Sequence, residues 1–279
     1  MAVQVIGVFD YSNRLSDVVL FVDFSLNAYA DAGVREKELA KWMAGVPELV
    51  RTEAFYKKKP PEEVFRRFEQ EMEQRFRDKF AKANEIVLNL GLVFLCTVFE
   101  NFLEHVLKVV FYCNPKTLLG ISKEKSLTLE RALELRSYDE VLQEFKDKYL
   151  YHFNRQGMEE KLKAFYSIGF KKEKLFSWEI FTAEIKTRYS AYDDMTLIDI
   201  FNKRHSIVHN NQYPVANIDE FLLMKDFLVK LVFNFGMMAS KKYYKYGALL
   251  DAHAMMRDAI KAEGGDPETY PPADWAEQE

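Results

Sequence analysis

Apolar residues recur at helical spacing along most of the chain, and that pattern predicts its elements. From residue 62, Phe65, Phe68, Met72, Phe76, Phe80, Ala83 and Val87 share one side of a helix that turns about 100° per residue. Pro60 and Pro61 precede it, Glu62 and Glu63 sit in its first turn where acids favour the dipole, and Gly91 marks its expected end. Residues 91–113 follow as a second long helix, with Leu92, Leu95, Phe99, Phe102, Val106 and Val109 inward and Asn114-Pro115 ending it. Ser137 with Glu140 forms a capping box that opens a helix to about Gln156. Residues 158–167, stopped near Gly169, and 178–189 read as two more. Residues 196–210 form the next, with Thr196 as N-cap, Met195 and Ile200 as its hydrophobic staple, and Asn210, Asn211 and Pro214 signalling its end. Asn217 with Glu220 starts a long helix that runs into Lys-Lys-Tyr-Tyr-Lys-Tyr, and a final helix over 247–262 stops at Gly264-Gly265.

The N-terminal stretch is less decided. Residues 3–9 read as a short strand, whereas 15–26 are so uniformly apolar that strand and buried helix both stay open. Residues 30–43 carry helical spacing until Gly45 and Pro47 interrupt, and the lysine-proline run at 57–61 reads as a solvated bend. The sum is an all-α bundle with a short strand near its start. Residues 1–61 are expected as an N-terminal extension packed on the core. Residues 62–262 form the main helical domain, with a helical insertion at about 114–195, and 263–279 are expected as a loose acidic tail.

Composition narrows the classes. With 279 residues and 48% hydrophobic content the chain can build a large core, and a net charge of −4 offers no general basic field for nucleic acid or membrane. Any phosphate chemistry is therefore local. Cys96 and Cys113 form no CxxC pair, which suits free thiols in a reducing cytoplasm. The first residues lack a basic n-region and a long apolar core, so no signal peptide is expected. Glu100, Glu104, His105 and Lys108 interrupt the most apolar run, so no membrane span is expected.

One residue breaks the pattern. In the helix over 196–210, Leu197, Ile200, Phe201, Ile207 and Val208 form an apolar stripe, and Arg204 projects from its middle. A guanidinium cannot shed its charge, so a place in an apolar seam implies a waiting carboxylate or anion. His209 follows at the helix end, bringing an arginine and a histidine together there. Glu100, Glu104 and Lys108 lie at i, i+4 spacing, either as a surface ion-pair row or with Glu100 placed near Arg204. Lys241, Lys242 and Lys245 suit a helix C-terminus, or hold a phosphate backbone with Tyr243, Tyr244 and Tyr246 as stacking faces.

Standard signatures of other chemistries are missing from the sequence: GxxxxGK[ST], GxGxxG, HExxH and GxSxG do not occur. His205 and His209 stand at the spacing of a metal pair, but no carboxylate follows His205 and no third ligand is near in sequence, so neither metal nor cofactor is expected.

The run Arg204-His205-Ser206-Ile207-Val208-His209 resembles the Rx4-6H signature of the HEPN (higher eukaryotes and prokaryotes nucleotide-binding) superfamily. Its place near a helix end, before a long last core helix, is similar too, as is the apolar helix carrying Glu100. The resemblance spans roughly residues 62–246. It implies a metal-independent endoribonuclease of the toxin or antiviral defence kind, which uses the ribose 2′-OH to leave a 2′,3′-cyclic phosphate. In that reading Arg204 grips phosphoryl oxygens, His209 moves protons, His205 positions RNA or steadies the site, and Glu100 and Asn210 support it. The resemblance also implies a homodimer with a composite active site, and an antitoxin or defence-system partner. Members paired with a nucleotidyltransferase antitoxin often carry a tyrosine two residues after the motif histidine; here that position is Asn211. Two other readings compete: a noncatalytic module binding RNA, a nucleotide or a protein, and a structural motif with Arg204 paired to an acid such as Glu100.

Overall fold

A computed structural model of the protein describes residues 3–51, 62–121, 126, 134–135, 137–177 and 183–271. Its helices are α1 (Val8–Ala30), α2 (Ala32–Arg51), α3 (Glu62–Ala81), α4 (Ala83–Cys113), α5 (Lys116–Ile121), α6 (Tyr138–Asn154), α7 (Met158–Ser167), α8 (Lys172–Leu175), α9 (Ala183–Tyr189), α10 (Asp194–Asn210), α11 (Ile218–Tyr243) and α12 (Asp251–Ala262). Two three-residue strands, β1 (Gln4–Ile6) and β2 (Ala248–Leu250), pair in parallel with Gln4 opposite Ala248. The protein is an all-α bundle with a short N-terminal strand.

α4 is its axis. Residues on most sides of this helix are buried, Leu92, Cys96, Phe99, Leu103, Val106 and Val110 among them, as expected of a helix surrounded by others. It packs against α1, α10 and α11. By length and composition alone α4 is apolar enough to cross a membrane, a point the interruptions by Glu100 and Lys108 had concealed; more than half of its most apolar window is covered by the rest of the chain.

Gly91 explains one boundary. It was expected to separate two helices, but the break falls at Lys82 and α4 runs straight through Gly91. A Cβ there would meet Val22 Cγ2 at 2.5 Å and the Phe221 ring at 2.9 Å. The glycine lets α1 and α11 close on α4, and its missing side chain is a packing device rather than a stop signal.

Other boundaries moved for identifiable reasons. Residues 15–26, left open between strand and helix, belong to α1, which gives Leu15 and Val22 to the core. α2 continues through Gly45 and Pro47 to Arg51. The final helix begins at Asp251 rather than Gly247, because Ala248, Leu249 and Leu250 are buried as a strand. Residues 263–271, expected to be loose, fold back on α12: Arg257 Nε donates to the Tyr270 carbonyl at 2.6 Å. The bend at 57–61 and residues 178–182 and 272–279 lie outside the described residues.

Two buried amides position the site. Asn89 Nδ2 donates to the Val215 carbonyl at 2.9 Å while its Oδ1 accepts from the Val215 N–H at 3.0 Å, which ties the loop after α10 to α4. Asn234 Nδ2 donates to the carbonyls of Leu175 and Ser177, holding the segment after α8 against α11. Such bonds replace the water these groups lose on burial.

Candidate active site

α10 begins three residues earlier than expected. Asp193, not Thr196, is the N-cap: its side chain accepts from the Thr196 N–H at 3.0 Å, and the Thr196 hydroxyl accepts from the Asp193 N–H at 3.3 Å. This is a capping box with threonine as the third helical residue. Met195 is exposed, so the expected staple is not made. At the other end Asn211 takes a left-handed conformation, φ +50°, and its N–H donates to the Ser206 carbonyl.

Between those caps Leu197, Ile200 and Phe201 are buried and Ile207 packs on the core, but Val208, His209 and Asn210 are exposed. Of the expected apolar stripe only Val208 falls outside. Arg204 lies between the buried Phe201 and the partly buried Ile207, with its side chain 33% exposed. One terminal nitrogen stands 3.8 Å from Glu100 Oε2, and the buried Nε has no hydrogen-bond partner.

Glu100 therefore leaves the surface row. Glu104 and Lys108 make the expected i, i+4 pair at 2.6 Å, and Asn154 Nδ2 adds a bond to Glu104 at 2.9 Å. Burial raises the Glu104 carboxyl, but its bonds to Lys108 and Asn154 outweigh that, and its pKa lies below the ordinary value. Glu100 instead takes Lys161 Nζ at 2.5 Å and faces Arg204 with its other oxygen. Lys161, on α7, is 1% exposed and lies 5.5 Å from the centre of the Phe153 ring. Under this cluster the Cys96 thiol is raised far above its ordinary range by burial, with the Glu100 charge adding to it.

Lys161 escaped the sequence reading although the same signal marked it. Met158, Leu162 and Phe165 form the buried side of α7, and Lys161 stands within it as Arg204 stands within the stripe of α10.

The two histidines meet at the surface. His205 and His209 are both exposed, with ring centres 4.4 Å apart and planes tilted by 42°. Among the described residues no group of three His, Cys, Asp or Glu comes together as a metal site would need. Asn210 is the exposed last residue of α10, and Tyr213 donates its hydroxyl to Asn211 Oδ1 at 3.2 Å.

The C-terminal lysines belong elsewhere. Lys203 on α10 reaches Glu220 in the first turn of α11 at 2.8 Å. Lys242 lies 22 residues further along α11, about 33 Å away at helical rise. Lys242 Nζ donates to the Gly169 carbonyl, Lys245 lies over Tyr246, and Tyr243 is buried, so it offers no stacking face. Within one chain, Lys241, Lys242 and Lys245 are thus remote from Arg204.

Comparison with protein-family models, with curated proteins and with solved structures finds no match. The reading of this site rests on its own residues.

Proposed function

We propose that the protein is a metal-independent endoribonuclease of the HEPN kind, with Arg204 and His209 at its centre and His205 beside them. The observation that carries this is the unfinished coordination of Arg204. Glu100 is held at 2.5 Å by Lys161, so the guanidinium keeps a buried N–H without an acceptor and an open edge. Among Glu100, Glu104, Lys108, Lys161 and Arg204, three cations oppose two carboxylates. One positive charge remains, and a phosphate is a fitting partner for it.

The neighbouring imidazoles suit the rest of the reaction. The ribose 2′-OH gives its proton to one imidazole as its oxygen attacks the adjacent phosphorus. The bond from phosphorus to the 5′ oxygen breaks, and that oxygen takes a proton from a second imidazolium. The products are a 2′,3′-cyclic phosphate and a 5′-hydroxyl. Arg204 donates to the non-bridging oxygens as their charge grows. His209 serves as one proton carrier, and the second is His205 or the matching histidine of another copy.

A homodimer belongs to the proposal. Leu20, Phe21 and Phe24 of α1 and Leu90 and Phe94 of α4 are all exposed, and Phe21 meets Phe94 edge to face at 6.1 Å. Clustered apolar residues of this kind mark an interaction surface. Phe94 shares α4 with Glu100, six residues or about 9 Å along the axis and about 120° around it, and a two-fold axis through this patch would duplicate the site. The two free thiols agree with a reducing, cytoplasmic setting, and a toxin or defence role with an antitoxin or defence-system partner rests on the resemblance alone.

The test is incubation of end-labelled RNA with the protein in EDTA. Cleavage that persists without metal and is lost in both Arg204→Ala and His209→Ala supports the proposal. Intact RNA over a range of sequences refutes it. The alternative, a structural Arg204, draws on the 3.8 Å approach to Glu100 and requires a large loss of stability in Arg204→Ala.

A further inference from the structure

We infer that Lys161 is a positioning residue, which holds Glu100 away from Arg204 and so keeps the guanidinium open. The openness of Arg204 follows from the geometry; its use for phosphate rests on the function proposed above.

Three helices each contribute one member. Glu100 comes from α4, Lys161 from α7 and Arg204 from α10. Lys161 is almost wholly buried, so its ammonium requires an anionic partner there. Glu100 is that partner, and Lys161 draws in the oxygen Oε1. The distance left to Arg204, 3.8 Å, is too long for a hydrogen bond. A guanidinium beside an unoccupied carboxylate closes on it with two parallel N–H bonds. Here it has not closed, and the carboxylate is already engaged.

The remaining charges nearby do not take over this part. Glu104 is engaged by Lys108 and Asn154, and the buried thiol of Cys96 is held protonated. The Phe153 ring faces the Lys161 ammonium, 5.5 Å from Nζ to its centre, and offers it no carboxylate. Removing the ammonium therefore leaves Glu100, among the described residues, with Arg204 as its ion-pair partner.

The experiment follows the reactivity of Arg204 toward phenylglyoxal, a reagent for accessible guanidinium groups, by peptide mass spectrometry on the full chain. In Lys161→Met the rate at Arg204 falls about tenfold or more, the worth of a charge-assisted hydrogen bond. In the double variant Lys161→Met with Glu100→Gln the rate returns to at least that of the unmodified sequence. Circular dichroism checks folding, and Lys161→Gln, expected to slow the same position, replaces Lys161→Met if that variant does not fold. An unchanged rate, or a slowed one that Glu100→Gln does not restore, overturns the inference. Because this readout involves no RNA, the two ideas part cleanly. The expected reactivity pattern without RNA cleavage leaves Lys161 in place and removes the nuclease; cleavage without the pattern does the reverse.

Discussion

Arg204 stands 3.8 Å from Glu100, close enough to feel its charge and too far to be locked by it. At a third exposed, such a pair contributes less than about 1 kcal/mol to stability. Replacing Arg204 with alanine is therefore expected to lower the melting temperature by no more than a few degrees. RNA cleavage should fall about 10²–10³-fold, as when a donor to a developing oxyanion is removed. Lysine in its place keeps the charge but not the paired donors, and most of the activity should still be lost. Thermal unfolding and cleavage rates measured on the same preparations decide it. A drop of ten degrees or more in melting temperature would favour a structural arginine.

Gly91 offers a test of the packing. Its position leaves no room for a methyl group between Val22 and Phe221, so Gly91→Ala is expected to destabilise the protein by about 1–3 kcal/mol. The gain in helix propensity from alanine, at most about 1 kcal/mol, acts in the opposite direction and is outweighed. Urea unfolding measures the difference, and a variant as stable as the parent would show that α1 or α11 shifts freely.

His253 predicts a pH dependence. It is buried, with Tyr270 edge to face at 5.6 Å, and its pKa is lowered from 6.5 first by burial and then by the charge of Arg257, with Asp251 opposing. The folded state thus favours the neutral ring. Its contribution to stability is full above the unfolded value of 6.5 and is lost as pH falls below that toward the depressed folded value. Melting temperature should decline between pH 7 and pH 5, and His253→Gln should shrink that decline. Parallel curves for the two proteins would exclude His253 as its source.

The apolar patch of α1 and α4 should govern assembly. Phe24→Glu or Phe94→Glu places a charge where a second copy would desolvate it. Sedimentation velocity is expected to show a dimer for the parent and a monomer for either variant, with helix content by circular dichroism unchanged because both side chains are exposed in the single chain. A monomeric parent would remove the patch from the account of the site.

The parts of the fold legible in the sequence were those decided locally. Ser137 and Asn217 cap their helices with the glutamates three residues on, and α7 spans the residues its spacing predicts. Arg204 stood out because a cation in an apolar stripe is visible in one helix. Its surroundings were not visible in the same way. Glu100 lies 104 positions earlier and Lys161 43, and which of them meets Arg204 depends on how α4, α7 and α10 pack. Gly91 misled for the same reason, since the side chains that fill its space come from α1 and α11. β2 was read as helix because three apolar residues carry no period, and its partner β1 lies at the far end of the chain.

The chemistry itself can be read from a product end. An RNA oligomer cut at one site in EDTA is resynthesised with a single 2′-deoxy sugar before the cut, and products of both oligomers are weighed by mass spectrometry. Attack by the 2′-OH requires a 2′,3′-cyclic phosphate from the first oligomer and no cleavage at that site in the second. A cut that survives the deoxy sugar, or one that leaves a 5′-phosphate, would contradict the role given to Arg204 and His209.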